Sequence, residues 1–311
     1  MLHPSASKFI SYYKASYLPP MPVISVIIPH FNRFGLLRKA ISSVLIQDYG
    51  DFELIVVDDG STESGLGELQ KAYKGQVQWL LLEHEGVSNA RNQGARMARG
   101  EWLCFLDSDD QWHNGKLAQQ VLFHKENPEI KISQTGENWV RNGKPHKIPA
   151  KYKKQDGDLF AQSLELCSIS PSTVMIKKDL FFAQGGFDER LPACEDYDLW
   201  LRVTATEKIG LVASDLMTRL GGHADQLSFK YPAMDRFRVF ALFKLLNGNI
   251  LTRDQKALAL VNLKGKIEVL VQGAAKRDKD LKELDEALMV VKKGGFAPLK
   301  DLAELLIYSW G

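Results

Sequence analysis

The 311-residue chain is notable first for what it lacks. No stretch approaches the ~20 consecutive apolar residues that a membrane-spanning helix requires. The first residues, MLHPSASKFISYYKASYLPPMP, have neither the apolar core nor the small-residue cleavage site of a secretion signal. Pro19, Pro20 and Pro22 make their end read as a stiff extended lead into the first strand. Charge of one sign is also missing. A net charge of +2 gives no electrostatic footprint for nucleic acid, so no nucleic-acid partner is expected. The three cysteines, Cys104, Cys167 and Cys194, are too few and too widely spaced for a disulfide framework or a CxxC metal site. A reducing, cytoplasmic setting follows as the expectation. Cys104 and Cys167 lie in apolar surroundings and read as small core residues.

Hydrophobic residues make up 45% and charged residues 25% of the chain, an ordinary globular balance with ample material for a core. From Val23 onward, short apolar runs alternate with helical patterns. The runs are VISVII (Val23–Ile28), FELIVV (Phe52–Val57), VQWLLL (Val77–Leu82) and EWLCFL (Glu101–Leu106). Between them lie GLLRKAISSVL, a helix from about Ser64 to Tyr73, and GVSNARNQGARMA. Near-continuous apolar strands separated by helices predict an α/β fold whose central sheet is mostly parallel and flanked by helices. Further on, Lys116–Glu126 reads as a helix, ENWVRNGKPHKI as a hairpin turning at Asn142-Gly143, STVMIKK as a strand and Glu195–Glu207 as a helix. IGLVAS and LMTRL are two short strand candidates. Beyond about Tyr231 the pattern is helical throughout: Asp235–Leu246, Asp254–Ala275, Asp278–Lys292 and Leu299–Tyr308. The expected division is an N-terminal extension (1–21), a catalytic unit (22–230, with halves about 22–115 and 116–230) and a helical C-terminal region (231–311).

Each of the first four strands ends in polar residues: Pro29-His30-Phe31-Asn32, Asp58-Asp59-Gly60-Ser61, Glu83-His84-Glu85 and Asp107-Ser108-Asp109-Asp110. Ligands of open parallel sheets bind outside the carboxyl ends of the strands. Any one of these acid pairs is also a good turn or helix-capping sequence; four at one sheet edge mark a candidate site. Asp107 and Asp109 stand at alternate positions, so at an extended strand end both carboxylates face one way. A divalent cation would relieve their repulsion, and all-oxygen donors suit Mg²⁺ or Mn²⁺. Asp110 reads as the residue that orients the turn.

Downstream, CEDYDLW opens a helix. Helical spacing puts Asp196, Leu199, Trp200 and Val203 on one face, and Asp198 with Arg202 on the other as an i,i+4 pair. Asp196 is therefore expected to point inward and Asp198 to face solvent. The plainer reading is that Glu195 and Asp196 only complement the helix dipole.

Taken together, ISVIIPHFNR, LIVVDDGSTE, GVSNARNQGARMARGEWLCFLDSDD and CEDYDLWLR resemble, in order and spacing, the family 2 glycosyltransferases, inverting enzymes of the GT-A fold that use nucleotide-diphosphate sugars. The resemblance covers about Pro22 to Ser228. It implies that Asp58 and Asp59 meet the base and ribose, and that Pro29, Phe31, Arg91, Asp107, Ser108 and Glu195 also line the nucleotide-sugar site. It implies metal ligation by Asp109, with Asp107 and His223, and makes Asp196, the second acid of the ED motif, the general base. From the residues alone, Arg91 could equally be a solvated helix arginine and His223 an ordinary surface histidine. Trp112 and Trp200 could line an acceptor cleft, with packing the plainer role for Trp200.

The expectation is thus a family 2 hexosyltransferase-type enzyme that moves a sugar, from a UDP-sugar by preference, to a glycan, lipid-linked or small-molecule acceptor in surface polysaccharide or glycoconjugate synthesis. The alternative is an inactive transferase-like module that binds nucleotide or glycan. A dinucleotide oxidoreductase is excluded, because PHFNRFG stands where G-x-G-x-x-G would be needed. The C-terminal helices most simply pack on the catalytic unit or on each other. The final DLAELLIYSW is apolar enough for core or homo-oligomer packing or, second to these, for peripheral contact with the inner face of a membrane.

Overall fold

The structure is a computed structural model that describes residues 23–222, 230–231, 233–276 and 281–308. The expected N-terminal extension, His223 and the start of the helix drawn from Asp278 lie outside the described residues.

Strand β1 (Ile24–His30) is buried along its whole length, as a central strand covered on both faces should be. It pairs in parallel with β2 (Phe52–Asp58) and β4 (Trp102–Phe105), and β2 pairs in parallel with β3 (Gln78–Leu81). The crossovers are helices α1 (Phe34–Leu45), α2 (Leu66–Ala72) and α3 (Val87–Met97). Helix α3 lies close on the sheet because its inward residues are small. A Cβ at Gly94 would stand 2.6 Å from Ile27 Cγ2, so a glycine here sets the depth of the helix and of the Arg91 it carries.

Past β4 the sheet is mixed, with most of its pairings antiparallel and its longest one parallel. β5 (Gln111–Trp112) and α4 (Lys116–Glu126) lead into β6 (Ile132–Arg141), which folds back through Asn142 and Gly143, both at positive φ, onto β7 (Lys144–His146). This is the hairpin the Asn-Gly pair predicts. After α5 (Phe160–Glu165) come a 3₁₀ turn at Pro171–Thr173 and the short β8 (Met175–Lys177), so STVMIKK is only half strand. α6 (Lys178–Ala183) and α7 (Glu195–Thr204) precede β9 (Gly210–Gly221). β9 joins the two short strands read from IGLVAS and LMTRL into one, with register shifts against β6 where the strand bends. Among the described residues, nine strands form one sheet in the order β3-β2-β1-β4-β8-β6-β9-β5, with β7 on β6.

The chain continues as α8 (Asp235–Asn247), α9 (Arg253–Ala275), α10 (Lys282–Lys292) and α11 (Leu299–Ala303) with a π turn at Glu304–Tyr308. Helix α9 starts at a capping box, Thr252 with Gln255. Apolar clusters line the two faces of the sheet. A third gathers Phe160 and Leu164 of α5 and Tyr197 and Leu201 of α7 with Phe237, Phe240, Leu263 and Leu284 of the C-terminal helices. Each fully buried side chain of this kind contributes about 1.5–3 kcal/mol, so the back of α7 and the C-terminal helices are held as one core. Among the described residues, no helix is long and apolar enough to cross a membrane.

Candidate active site

The strand ends β1 to β4 meet as expected, and their polar residues divide into three groups. In the first, Asp58 and Asp59 are nearly buried. Asp58 accepts the Ser61 amide at 3.2 Å and lies 3.9 Å from His30 Nε2. Burial pushes His30 down to about 4 despite the Asp58 charge, so the imidazole is neutral. Asp59 is turned onto the loop between β3 and α3. It accepts the Glu85 and Gly86 amides, both at 2.9 Å, and contacts His84 Nδ1 at 2.8 Å. Gly60, next in the chain, sits at φ 72°, where a Cβ would stand 2.8 Å from the His84 amide nitrogen; the third letter of DDG must be glycine. Outside this knot the half-exposed Phe31 ring stacks on His84 at 4.0 Å. Pro29 lies within β1, paired with Val57.

The second group is built on the turn after β4. The Asp107 amide donates to Ser172 Oγ at 3.1 Å, and Ser172 Oγ donates to Asp110 at 2.7 Å. Asp110 also accepts the Leu220 amide at 3.3 Å. Burial, reinforced by Asp109 and Asp107, pushes the Asp110 carboxyl well above the usual carboxylate range. Asp110 is thus a buried brace that ties the turn to β9, Ser108 is tucked beneath the turn, and Asp107 and Asp109 remain partly open. Asp109 receives Arg33 Nη1 at 3.0 Å.

The third group joins the two halves of the sequence. Arg91 is buried; its Nη2 donates to Asp107 and its Nη1 to Glu195, both at 2.6 Å, and its guanidinium lies 5.0 Å from the Phe187 ring centre. Burial alone would weaken the cation, but the two carboxylates more than compensate and raise Arg91 above its ordinary value. Burial likewise raises Glu195, with Arg91 opposing. Arg91 is therefore not a solvated helix arginine: it connects the DSD turn to the start of α7.

Asp196, next in line, is only partly buried. Its Oδ1 accepts the Tyr197 amide at 2.7 Å and its Oδ2 accepts the thiol of Cys167 at 3.3 Å. Three expectations need correction. Asp198 does not face solvent: it is 1% exposed, held by Arg202 at 2.6 Å as the i,i+4 pair predicts, and by Lys244 at 2.8 Å. Helix α8 closes that face, which helical spacing alone cannot reveal. Cys167 is not merely a core residue, because its thiol reaches Asp196. Trp112 does not line a cleft either; it is buried, with its indole donating to the Ser172 carbonyl at 2.7 Å. Trp200 is buried as packing requires.

Sequence reasoning also passed over Arg33, although it adjoins the first strand end, and Arg219. The Arg219 guanidinium donates to Ser170 Oγ at 3.0 Å and lies over Trp139; burial opposes its charge, and Glu137, Asp110, Asp107 and Asp196 together outweigh burial and raise it above its ordinary value. Asp107 and Asp109, each paired with an arginine in this structure, offer only oxygen donors, a set that fits a hard divalent cation. Among the described residues no cluster of three or more His, Cys, Asp and Glu side chains is placed to hold a metal; the third expected ligand, His223, is outside them.

Comparison with known proteins follows the same outline. The model of the family described as Glycosyl transferase family 2 matches residues 25–182. An uncharacterized glycosyltransferase of Rickettsia conorii is 36% identical over 196 residues, 62% of this chain and 32% of that protein, so the matched region spans about a third of that relative's length. The UDP-Glc:alpha-D-GlcNAc-diphosphoundecaprenol beta-1,3-glucosyltransferase WfgD of Escherichia coli is 28% identical over 191 residues, 61% of this chain and 73% of its own. Among solved structures, S. aureus TarS 1-349 in complex with UDP-GlcNAc superimposes with a TM-score of 0.66 at 19% identity, covering 91% of this chain and 81% of that one. At that identity the likeness concerns the fold, which is of the GT-A type.

Proposed function

The chain belongs to glycosyl transferase family 2, and from that premise we propose that it transfers a sugar from a nucleoside-diphosphate sugar, a UDP-sugar by preference, to an acceptor hydroxyl with inversion. The observation that carries this reading is the Arg91 bridge, with 2.6 Å contacts to Asp107 and Glu195. It ties the turn suited to a diphosphate and its cation to the helix that carries a carboxylate suited to take a proton.

In this reading the uridine lies against Phe31 and the loop knotted by Asp58 and Asp59, with Pro29 at the strand end beneath it. Ser108 and Asp107 line the diphosphate side, and Arg91 holds Asp107 and Glu195 in place. Asp109, Asp107 and His223 would hold Mn²⁺ or Mg²⁺, which supplies positive charge for the diphosphate as it leaves. The acceptor oxygen attacks the anomeric carbon from the face opposite the diphosphate. The new C–O bond forms as the bond to the phosphate oxygen breaks, and Asp196 takes the hydroxyl proton. The donor named in the E. coli relative is UDP-Glc and its acceptor a sugar diphospholipid, and the TarS complex holds UDP-GlcNAc. Both support a UDP-sugar donor, and the former supports a lipid-linked glycan acceptor met at the inner face of a membrane.

The test is a thermal-shift series of UDP-glucose and UDP-N-acetylglucosamine with and without Mn²⁺, followed by UDP release. A Mn²⁺-dependent shift that Asp109→Ala abolishes is expected. Turnover should fall about 10³-fold in Asp196→Asn, within the usual contribution of a general base, with UDP affinity retained. Binding that ignores both the metal and Asp109→Ala would overturn the cation assignment, and full turnover in Asp196→Asn the base assignment.

A further inference from the structure

We propose that Cys167 is a positioning residue for the base: its thiol holds one oxygen of Asp196 so that the carboxylate meets the acceptor hydroxyl in one orientation. The proposal rests on the reading of Asp196 as the base.

Both oxygens of that carboxylate are held. Oδ1 is fixed from its own helix by the Tyr197 amide, and Oδ2 from another segment by Cys167 Sγ at 3.3 Å. A thiol is a weak donor, so it can orient the carboxylate while leaving lone pairs for a substrate hydroxyl. The thiol has one hydrogen and two acceptors within reach, Asp196 Oδ2 and the Ile169 carbonyl at 3.5 Å. The charged acceptor gives the stronger bond. Burial first, and the Asp196 charge next, push the Cys167 thiol well above its ordinary range, so it stays a donor and not a second anion beside the base.

The two segments are locked together. Tyr197, the residue after the base, donates its hydroxyl to the Leu164 carbonyl at 2.8 Å, at the end of α5. The loop after α5 is held by Lys154 on the Ser168 carbonyl at 2.7 Å and by Arg219 on Ser170 Oγ at 3.0 Å. The charges facing the Cys167–Asp196 pair come from several elements: Glu195 on α7, Lys154, itself paired with Glu137 on β6, Arg219 on β9 and Arg238 on α8. Cys194, just before α7, is the other neighbouring thiol.

Two measurements test the proposal on the intact chain. The first needs no substrate: iodoacetamide labelling of Cys167 at pH 8, read by peptide mass, with Cys104 and Cys194 as buried controls. Removing the neighbouring charge in Asp196→Asn should speed Cys167 labelling about tenfold, whereas an unchanged rate would mean the two groups do not touch and would overturn the proposal. The second is UDP release from whichever of UDP-glucose and UDP-N-acetylglucosamine gives the larger thermal shift. Cys167→Ala should lose about tenfold in kcat with donor KM unchanged, and Cys167→Ser, which keeps a donor, should recover to within about threefold of the wild type. Wild-type kcat in Cys167→Ala overturns the proposal. So does an equal loss in both variants with a raised donor KM, which would mark simple packing. If Asp196→Asn itself turns over normally, the base assignment falls, a result distinct from failure of the thiol variants beside an inactive Asp196→Asn.

Discussion

The strand-end acids of the parallel part and the acids around α7 in the mixed part are held by opposite means. At the ends of β1 to β3, Asp58 and Asp59 are satisfied chiefly by backbone amides of neighbouring loops. Amides carry only partial charge, so no full cation is used in holding these carboxylates. Around α7, Asp198 is held by Arg202 and Lys244, and Asp188 by Arg190 and the same Lys244. Against the opposing effect of burial, Arg190 and Lys244 bring the Asp188 carboxyl well below the usual range. Amide-held acids suit recognition; cation-held acids suit support. Arg91 stands between the two modes, one cation shared by Asp107 and Glu195, which leaves that trio with one negative charge to offer.

The sharpest way to break this comparison is to remove the shared cation. Arg91→Met leaves the buried Glu195 and the partly open Asp107 without their partner, and urea unfolding should show a loss of about 3 kcal/mol. A loss below about 1 kcal/mol would mean that the acids are held by something else.

Acid should weaken both parts alike, since each contains a buried neutral histidine. Burial lowers His30, and likewise His124 on α4, to about 4. Below the unfolded value of about 6.5 the unfolded chain binds protons that the folded chain does not. Stability therefore falls as pH drops from about 6.5 to about 4 and is unaffected by these groups above that window. Each histidine accounts for up to about 3 kcal/mol, and His124→Gln should flatten its share of the curve measured by denaturation at stepped pH.

The smallest effects separate the two modes directly. Asp59→Asn retains one acceptor oxygen and should cost about 1–2 kcal/mol, while loosening the loop enough to weaken UDP binding about tenfold in calorimetry. Lys244→Met leaves Asp188 and Asp198 each with an arginine and should cost about 1 kcal/mol with UDP affinity unchanged. Equal effects of the two on UDP binding would erase the distinction.

The amide-held part is also the part most legible in the sequence. Each strand, its polar end and the helix that follows lie within about thirty residues, and the glycine of DDG announces its own turn. The expected helix at Lys116–Glu126 and the Asn-Gly hairpin are equally local and match the structure. The cation-held part is assembled from distant segments. Lys244 reaches Asp198 across 46 positions and Cys167 reaches Asp196 across 29. Helical spacing gives the faces of α7 but not what closes each face, so Asp198 reads as exposed, and the apolar surroundings of Cys167 make it read as a core residue. Arg91 was ambiguous for the same reason, since both of its acids lie outside its helix.

The apolar cluster that joins α5 and α7 to the C-terminal helices also bears on how such a chain can be cut and recombined. A graft that exchanged everything after Tyr231 for the tail of a relative would strip the lining from Tyr197 and Leu201 and remove Lys244 from Asp198. The interchangeable piece begins instead before Phe160 and takes α5, the thiol loop and α7 along with the tail. Even that cut crosses packed side chains, because Phe187, Leu199 and Trp200 of the exchanged piece share one apolar cluster with Ile27, Ile55 and Phe105 of the sheet, so a viable chimera must keep those positions apolar.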